Sequence, residues 1–318
     1  MKLIYHPIFL EHDTGHHPEN ADRLKALGPL PVSDFEDGEK YLTLVHEKNY
    51  IDRVKEACRK ERPLDPDTVT SKRSYESAIY AAGAAIEASK TGGMAILRPP
   101  GHHAYPGYAS GFCLFNNIAI AVQYLLEQGR KVFILDFDGH CGDGTEYFFY
   151  DTDQVLFLST HQYPAYPGKG YFHETGKGKG TGYTINIPLP PGSGDDLYLE
   201  GLQRFLPLAK KFHPDVVAVS AGFDAHHSDP LLNLNFTADA YYETGRMLSA
   251  EFTNIFAVLE GGYNLTFFPK CLFNFVAGIN RSEKSFSENS IPSPDPVKSE
   301  FRQRMEGLEA NLKPVWNF

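Results

Sequence analysis

The segment DFDGH at residues 136–140 holds the side chains best suited to chemistry in this sequence. If the strand leading into it stays extended, side chains alternate between two faces, so Asp136, Asp138 and His140 project the same way. Two carboxylates and an imidazole on one face can bind a divalent metal, with Zn²⁺ favoured and Fe²⁺ or Mn²⁺ as alternatives. Acidic residues at the end of a strand can also cap a helix or face solvent, so the segment alone leaves both roles open.

Asp224 is the natural further ligand, because it follows a second apolar strand and lies two residues after Gly222. Taken alone, it would more simply be the N-cap of the next turn. Two aspartates and one histidine would fill three positions around a metal and leave the fourth open to water, as a catalytic zinc ion requires. The pattern therefore predicts a metal site at which water can react.

Tandem histidines, His102 and His103, follow the turn-forming residues Pro-Pro-Gly at 99–101. A neutral imidazole can take a proton from metal-bound water and later return one to a leaving amine. A carboxylate commonly lies behind such a histidine and fixes its tautomer, and Asp136 and Asp143 are the candidates. These residues predict an acid–base pair beside the metal.

Tyr263 follows two glycines after a third apolar strand, where its hydroxyl could donate a hydrogen bond to an oxyanion. A packed aromatic ring with a solvated hydroxyl is the alternative. Cys113 and Cys141 adjoin these motifs, but a metal–histidine site needs no thiol and buried cysteines are usually inert. We therefore expect no cysteine nucleophile.

The elements that must position these groups alternate regularly along the chain. Apolar runs predict six buried strands at Met94–Leu97, Val132–Leu135, Val155–Leu158, Thr184–Ile187, Val216–Val219 and Ile255–Leu259. Helices between them are predicted at Ser74–Ser89, Asn116–Glu127, Leu197–Lys210 and Ala238–Ala250. Such alternation is typical of a parallel sheet covered on both faces. Because parallel strands end along one edge, we expect the polar clusters that follow five of these strands to meet in space.

Composition and length are those of an ordinary globular protein. The chain has 318 residues, of which 42% are apolar and 22% charged, and a net charge of −10, which argues against disorder. It has no Lys/Arg block, which argues against nucleic-acid binding, and no apolar run near the roughly 20 residues of a membrane helix. The N-terminus shows no signal-peptide core and the four cysteines form no CxxC pair, so we expect a cytoplasmic protein with reduced thiols.

One domain is predicted over residues 1–280, since its elements are evenly spaced. Residues 281–296 are rich in serine, proline and charge and predict an exposed connector. Ser299–Leu312 predicts a short C-terminal helix. We therefore assign residues 281–318 to a connector and a short helix packed on or beside the domain, and the sequence leaves the oligomeric state open.

Six motifs together resemble the histone deacetylase family, including its bacterial amidohydrolase relatives and the acetylpolyamine amidohydrolases. The matching segments are HPENADRLKAL (17–27), RPPGHHAYPGYASGFCLFNN (98–117), LDFDGHCGDGTEYFF (135–149), ETGKGKGTGYTINIPLP (174–190), SAGFDAHHSDPL (220–231) and LEGGYNL (259–265). They occur in family order, and RPPGHHA and LEGGYN look most like the class II-like branch. The resemblance implies a single arginase-like α/β domain with an eight-stranded, mainly parallel sheet and helices on both faces.

The resemblance implies one Zn²⁺ per chain, held by Asp138, His140 and Asp224. It moves Asp136 off the metal and thereby corrects the argument from strand spacing. A structural K⁺ is implied at Asp136, Asp138, His140, Ser159 and Thr160. A second K⁺ site, made mostly by backbone atoms, is implied at Phe149, Thr152, Val155 and Tyr183. Cys141 departs from the family, in which a histidine usually occupies this position.

The resemblance also implies the acid–base roles. His103 is the general base and then the general acid, and His102 is mainly its electrostatic partner. The carboxylates behind them match Asp136 for His102 and Asp143 for His103. Tyr263 matches the tyrosine that polarises the acyl carbonyl. The walls of the substrate tunnel are expected at Gly111, Phe112, Tyr166 and Leu231.

The implied reaction is zinc-dependent hydrolysis of an N-acetyl or N-acyl amide on a linear amine, by histidine-assisted attack of metal-bound water. Acetyl-lysine and acetylated polyamines are the candidate substrates. The eukaryotic polyamine deacetylase has a glutamate where Leu231 stands here, which favours acyl-lysine. Glu11, Asp13 and Glu19 could line the rim and attract a polyamine ammonium, which supports the alternative.

Two other classes of protein are weaker alternatives. A two-manganese ureohydrolase of the same fold has an Asp-x-His-x-Asp motif, whereas Asp138 to Asp143 contains one residue too many. Its Asp-x-Asp motif is also missing, since Asp224 is followed by Ala225 and His226. A non-catalytic acyl-lysine-binding protein is the alternative outside enzymes, and the complete acid–base and oxyanion set argues against it.

Overall fold

Seven parallel strands form one sheet in the structure, a computed structural model that describes residues 1–316. The strands are β1 (Leu3–Tyr5), β2 (Met94–Ile96), β3 (Val132–Asp136), β4 (Val155–Gln162), β5 (Thr184–Leu189), β6 (Val216–Ala221) and β7 (Ile255–Leu259). Their order across the sheet is β1-β2-β7-β6-β3-β4-β5. The six predicted strands are all present. The expected eighth strand is not found among the described residues, and the short edge strand β1 is the addition to the predicted six.

Helices flank this sheet and connect its parallel strands. They are α1 (Asp22–Lys25), α2 (Lys48–Arg59), α3 (Ser74–Thr91), α4 (Asn117–Leu126), α5 (Asp143–Phe149), α6 (Asp195–Phe212), α7 (Ala238–Glu251), α8 (Phe268–Ile279) and α9 (Asp295–Leu312). Asn116 caps α4, accepting from the N–H of Ala119 at 3.0 Å, and its side-chain amide donates to the carbonyl of Ala104 at 3.2 Å. The cap therefore ties the tandem-histidine turn to the start of α4.

The central strand β3 sets the position of the polar cluster. All five of its residues are buried, as an unbroken apolar run requires in a strand covered on both faces. Its last residue, Asp136, pairs in register with Ser159 of β4 and Ser220 of β6. The loops after these three strands therefore leave the same edge side by side, and two of them carry Asp138 and Asp224.

The C-terminal segment is more helical than the sequence suggested. Helix α9 begins at Asp295 and runs for 18 residues, so the last two residues of the predicted connector belong to it. Its apolar side chains join the main core at Phe301, Met305, Leu308 and Leu312. The rest of the connector is largely exposed. The final two residues of the 281–318 assignment lie outside the described residues, and across residues 1–316 no helix is both long and apolar enough to span a bilayer.

Candidate active site

Asp138, His140 and Asp224 come together beyond the ends of β3 and β6, and their potential ligand atoms lie within 4.8 Å of one another. His140 Nδ1 is 2.7 Å from Asp224 Oδ2 and 3.3 Å from Asp138 Oδ1. The second oxygen of each carboxylate accepts a backbone N–H, from Gly261 for Asp138 and from Gly139 for Asp224. Two buried carboxylate oxygens and one imidazole nitrogen thus face a common point. This donor set suits a divalent metal.

Asp136 is turned away from that point. Strand β3 ends at Asp136, where its Oδ1 accepts the backbone N–H of Asp138 at 3.1 Å. This local bond replaces the extended backbone on which the three-ligand alternation depended. Asp136 Oδ2 instead lies 3.0 Å from His102 Nδ1. The extended-strand prediction of Asp136 as a metal ligand therefore fails.

The two tandem histidines each have a carboxylate behind them. His103 Nδ1 lies 2.8 Å from Asp143 Oδ1, and Asp143 is the first residue of α5. The rings of His102 and His103 are 4.1 Å apart, and both residues are almost fully buried. In the neutral ring of His103, the carboxylate at Nδ1 holds the proton there and leaves Nε2 as the free ring nitrogen.

The surroundings of the two imidazoles shift their pKa values in opposite directions. Burial lowers the pKa of His103, and the neighbouring His102 helps to bring it to about 4, so His103 is neutral at neutral pH. Burial acts on His102 as well, but the facing carboxylates of Asp138 and Asp136 outweigh it and raise the pKa of His102 well above its usual value. A dication beside Asp138 would oppose that rise. A neutral His103 beside a more basic His102 is the arrangement expected of a proton acceptor and its electrostatic partner.

Two further carboxylates support the tandem-histidine turn and Tyr263: Glu260 in the loop after β7, and Asp229 in the loop after β6. Glu260 Oε2 accepts the backbone N–H groups of Gly101 and His102, at 2.7 and 3.1 Å. Asp229 Oδ2 accepts the backbone N–H of Tyr263 at 2.7 Å. Burial raises the pKa of Tyr263 well above its usual value, so its hydroxyl remains a donor. Sequence reasoning missed Glu260, although a carboxylate at the end of a buried strand was the available signal.

A pocket of about 440 Å³ connects these groups to the surface. Its lining includes the predicted site residues His102, His103, Asp138, His140 and Tyr263, and also the predicted wall residues Gly111, Phe112, Tyr166 and Leu231. Gly111 has a φ of +52°, and a Cβ there would approach His103 Cδ2 to 2.5 Å. Only glycine allows the wall to come this close to the imidazole.

The residues expected around potassium lie beside the metal-ligand cluster. Ser159 is buried on β4, and its hydroxyl lies 2.8 Å from His161 Nδ1. The hydroxyl of Thr160 is buried without a hydrogen-bond partner in the described part of the chain. The residues of the second expected site lie at the end of α5 (Phe149), in the turn that follows (Thr152), at the start of β4 (Val155) and just before β5 (Tyr183). Backbone hydrogen bonds join Thr152 to Phe149 and Phe157 to Tyr183.

The rim differs from the expectation in its acidic residues. Glu19 is fully buried and its carboxylate contacts the guanidinium of Arg98, so it does not face the pocket. Glu11 and Asp13 line a different surface depression. Asp67 and His17 line the pocket instead. Asp67 lies in an exposed loop with no periodic pattern, so the sequence carried no signal for it.

The cysteines and a second histidine–glutamate cluster are the other groups that could react or bind a metal. The four cysteines are free and buried, and burial raises the pKa of Cys113 and Cys141 well above the usual value. His226, His227 and Glu288 form a second cluster with metal-ligating atoms. The backbone N–H of Ser228 donates to His226 Nδ1 at 3.2 Å, so Nε2 carries the proton that faces Glu288. This cluster is therefore satisfied by its own hydrogen bonds.

The comparisons with known proteins agree with this geometry. A probable deacetylase of Archaeoglobus fulgidus is 38% identical over 322 residues, which covers 91% of this chain and 90% of that protein. The crystal structure of the HDA15 HD domain has a TM-score of 0.88 at 29% identity and covers 99% of this chain and 97% of the other. An acetylpolyamine aminohydrolase from Burkholderia pseudomallei has a TM-score of 0.80 at 26% identity, covering 88% of this chain and 98% of the other.

The histone deacetylase domain model matches residues 17–279. That range contains the buried carboxylates, the tandem histidines and every residue named above in the lining of the pocket. A match over most of the chain, with a shared fold and a group of side chains able to hold a metal, makes this protein a member of the histone deacetylase family, whose enzymes are metal-dependent hydrolases.

Proposed function

We propose that the protein is a zinc-dependent deacetylase that hydrolyses the N-acyl amide of a linear amine, with acyl-lysine as the favoured substrate. The observation that carries this proposal is the convergence of Asp138, His140 and Asp224 with His103 and Tyr263 around one pocket. The cluster beyond the ends of β3 and β6 supplies metal ligands, His103 supplies a base, and Tyr263 supplies a hydrogen-bond donor. Together these are the parts that hydrolysis of an amide requires.

The residues at the metal site fit Zn²⁺. Asp138 and Asp224 are buried side by side, and their like charges are offset by the imidazole of His140 between them and by His102, whose Nε2 lies 3.8 Å from Asp138 Oδ1. Replacing the Nδ1 proton by a dication would satisfy all three groups. Zn²⁺ held there would polarise an acyl carbonyl and acidify water. Potassium at Ser159 and Thr160 is a further part of the proposal, supported by the unpartnered hydroxyl of Thr160.

The protein's own residues then have distinct tasks. His103 Nε2 takes the proton of the attacking water, because Nδ1 is held by Asp143 and the ring is neutral. The same nitrogen returns a proton to the departing amine. The hydroxyl of Tyr263 donates to the acyl oxygen as negative charge develops on it. Phe112 and Tyr166 narrow the pocket around a straight, unbranched chain.

The rim supports acyl-lysine over an acetylated polyamine. A polyamine needs carboxylates at the mouth to hold its distant ammonium group. Glu19 is unavailable because it is buried against Arg98, and Asp67 is the carboxylate that remains at the mouth among residues 1–316. Leu231 lines the pocket as an apolar gatekeeper. The fold shared with an acetylpolyamine aminohydrolase keeps polyamines as the alternative.

A comparison of kcat/KM on zinc-loaded enzyme tests this proposal. The substrates are an acetyl-lysine peptide, a longer acyl-lysine peptide, N-acetylputrescine and N8-acetylspermidine, with His103→Ala as the blank. We expect the peptides to be preferred. A preference for the polyamines would contradict the substrate assignment, and no turnover of any of the four would contradict deacetylation and favour a binding protein.

The role of the gatekeeper predicts a change of selectivity. Replacing Leu231 with glutamate places a carboxylate at the mouth, where it attracts a substrate ammonium. We expect the ratio of kcat/KM values to shift toward acetylpolyamines by about tenfold, the equivalent of roughly 1.4 kcal/mol. Leu231→Gln is the matched control, since it adds polarity without charge. If Leu231→Glu and Leu231→Gln give the same ratio of kcat/KM values, charge at position 231 does not set the choice between acyl-lysine and acetylpolyamine.

Metal content separates the deacetylase from the two-manganese ureohydrolase. We expect about one bound metal per chain in the wild type, and a loss of that metal in Asp224→Ala, as measured by elemental analysis after dialysis. His227→Ala is the control, because the cluster that it belongs to is satisfied without an ion. Two metals per chain would favour the ureohydrolase class, and loss of metal in His227→Ala would place an ion at the second cluster.

A further inference from the structure

Asp143 has a second partner on the side away from His103. Its Oδ1 faces His103 Nδ1, while its Oδ2 accepts a hydrogen bond from the hydroxyl of Tyr105 at 2.8 Å. The ammonium of Lys169 donates to that hydroxyl at 2.5 Å and lies 3.8 Å from Asp143 Oδ2. Asp143 is almost fully buried, whereas the side chain of Lys169 is 51% exposed. A continuous chain of hydrogen bonds therefore runs from the surface to the imidazole.

We propose that Lys169 and Tyr105 are positioning residues that hold the plane of the Asp143 carboxylate and, through it, the ring of His103. This inference rests on the proposed function, in which His103 is the base. A carboxylate bonded through one oxygen can turn about its Cβ–Cγ bond. A donor on the second oxygen removes that freedom, and hydrogen bonds to a charged acceptor are the stronger kind.

Ring packing shows that this support is built into the fold. Tyr105 stacks on Tyr108 with centroids 4.5 Å apart and an angle of 12°, and it contacts Tyr147 at 5.2 Å. Lys169 Nζ lies 4.9 Å from the centroid of the Tyr105 ring. The hydroxyl of Tyr105 is thus fixed between a packed ring and the buried carboxylate. An exposed ion pair alone contributes little to stability. We therefore assign the role of Lys169 to the geometry that it imposes on Tyr105 and Asp143.

One short segment, residues 166–170, contacts both the base and the carboxylate behind it. Tyr166 lies against His103 on the pocket side, with ring centroids 5.1 Å apart. Three residues later, Lys169 supports Asp143 from behind. The carbonyl of Gly170 lies 2.8 Å from His161 Nε2, which anchors the segment to β4. The wall that bounds the substrate and the support of the base therefore belong to one anchored segment.

The test uses zinc-loaded enzyme and four variants. Lys169→Met and Tyr105→Phe remove the two donors, and Lys169→Arg restores a charged donor. Lys177→Met is the matched control, because Lys177 lines the same cavity of about 410 Å³ behind Asp143 and is not among the described contacts of Asp143. With an acetyl-lysine peptide we expect kcat to fall about tenfold in the first two variants, with KM and metal content unchanged. Lys169→Arg should recover most of the loss and Lys177→Met should equal the wild type.

A spectroscopic measurement keeps this test separate from the proposed function. In ¹⁵N-histidine-labelled holoenzyme, the proton between His103 Nδ1 and Asp143 gives a resonance that is identified by its loss in His103→Ala. We expect it to shift in Lys169→Met and Tyr105→Phe, and to stay in place in Lys177→Met. An unchanged resonance with unchanged kcat would overturn the proposal, as would equal losses of kcat and metal content. A shifted resonance in an enzyme that turns over no acyl substrate would support positioning and reject deacetylation.

Discussion

Replacing His103 with alanine is expected to lower kcat/KM for an acetyl-lysine peptide by about 10²- to 10⁴-fold, the usual contribution of a positioned acid–base group. The effect follows from a neutral ring whose Nδ1 is occupied by Asp143, so that Nε2 is the available proton acceptor. Burial and His102 keep the pKa of His103 near 4, so protonation does not remove the base at neutral pH. The other three imidazoles among the described lining residues lack this combination: His102 is raised in pKa, His140 faces the metal point, and His17 Nδ1 accepts the backbone N–H of Glu19 instead of facing a carboxylate.

The matched variant is His102→Ala, assayed beside His103→Ala with metal content measured in both. We expect a smaller loss in His102→Ala, because its role is to adjust the charge around the site. Metal should remain bound in both variants, since neither residue belongs to the ligand cluster. Loss of less than a factor of ten in His103→Ala, with metal retained, would contradict the assignment of the base.

The sheet could be predicted from the sequence because its strands are unbroken apolar runs. The predicted strand Val132–Leu135 corresponds to β3, which is one residue longer and ends at Asp136. Strand β1 escaped prediction because three residues at an edge carry no pattern of their own. The eighth strand was expected only from the resemblance, and no apolar run supported it.

The candidate site was predictable to the extent that strand ends share an edge. Asp138 and Asp224 lie 86 positions apart, yet the register of β3 with β6 brings their loops together. The role of Asp136 depended on a local hydrogen bond that ends the strand, which alternation alone does not reveal. Tyr105 and Lys169 were not predicted, because they act on His103 only through Asp143 and such an indirect contact leaves no spacing pattern in the sequence.

The rim was the least predictable part of the site. Glu11, Asp13 and Glu19 are candidates for the rim because they lie in the N-terminal loop of the part of the chain that resembles the family. Glu19 is instead enclosed by two arginines, one of which follows β2 and lies 79 positions away. A long-range ion pair of this kind depends on how the loop folds over the sheet.

The buried carboxylate of Glu19 gives the second large expected effect, which is on the stability of the fold. Replacing Glu19 with glutamine should lower the free energy of unfolding by about 3–5 kcal/mol, as expected when one partner of a buried ion pair is removed. Arg98 makes two hydrogen bonds to the carboxylate, Arg23 makes one at 3.1 Å, and all three side chains are essentially inaccessible to solvent. The neutral amide keeps the shape of the side chain but leaves two buried cations without an anion.

The pH dependence of this difference has a definite sign. Burial alone would raise the pKa of Glu19, but Arg98 and Arg23 outweigh it and lower the pKa to about 2. A carboxylate whose pKa is lowered by folding contributes stability that is complete above its unfolded pKa and is lost as the pH falls toward the folded value. The gap between wild type and Glu19→Gln should therefore be constant near neutral pH and narrow between about pH 4.5 and 2.

Urea unfolding followed by circular dichroism measures this gap, with Glu36→Gln as the control. Glu36 pairs with Lys40 on the surface, where solvent screens the interaction, so its loss should leave the midpoint unchanged. Arg23 also donates to the carbonyls of Glu260 and Gly262, next to Tyr263. Glu19→Gln is therefore expected to disturb the loop that carries Tyr263, the donor to the acyl oxygen. The kcat should then decline in the fraction of the protein that remains folded. Equal midpoints for the two variants would show that Arg98 and Arg23 find other partners.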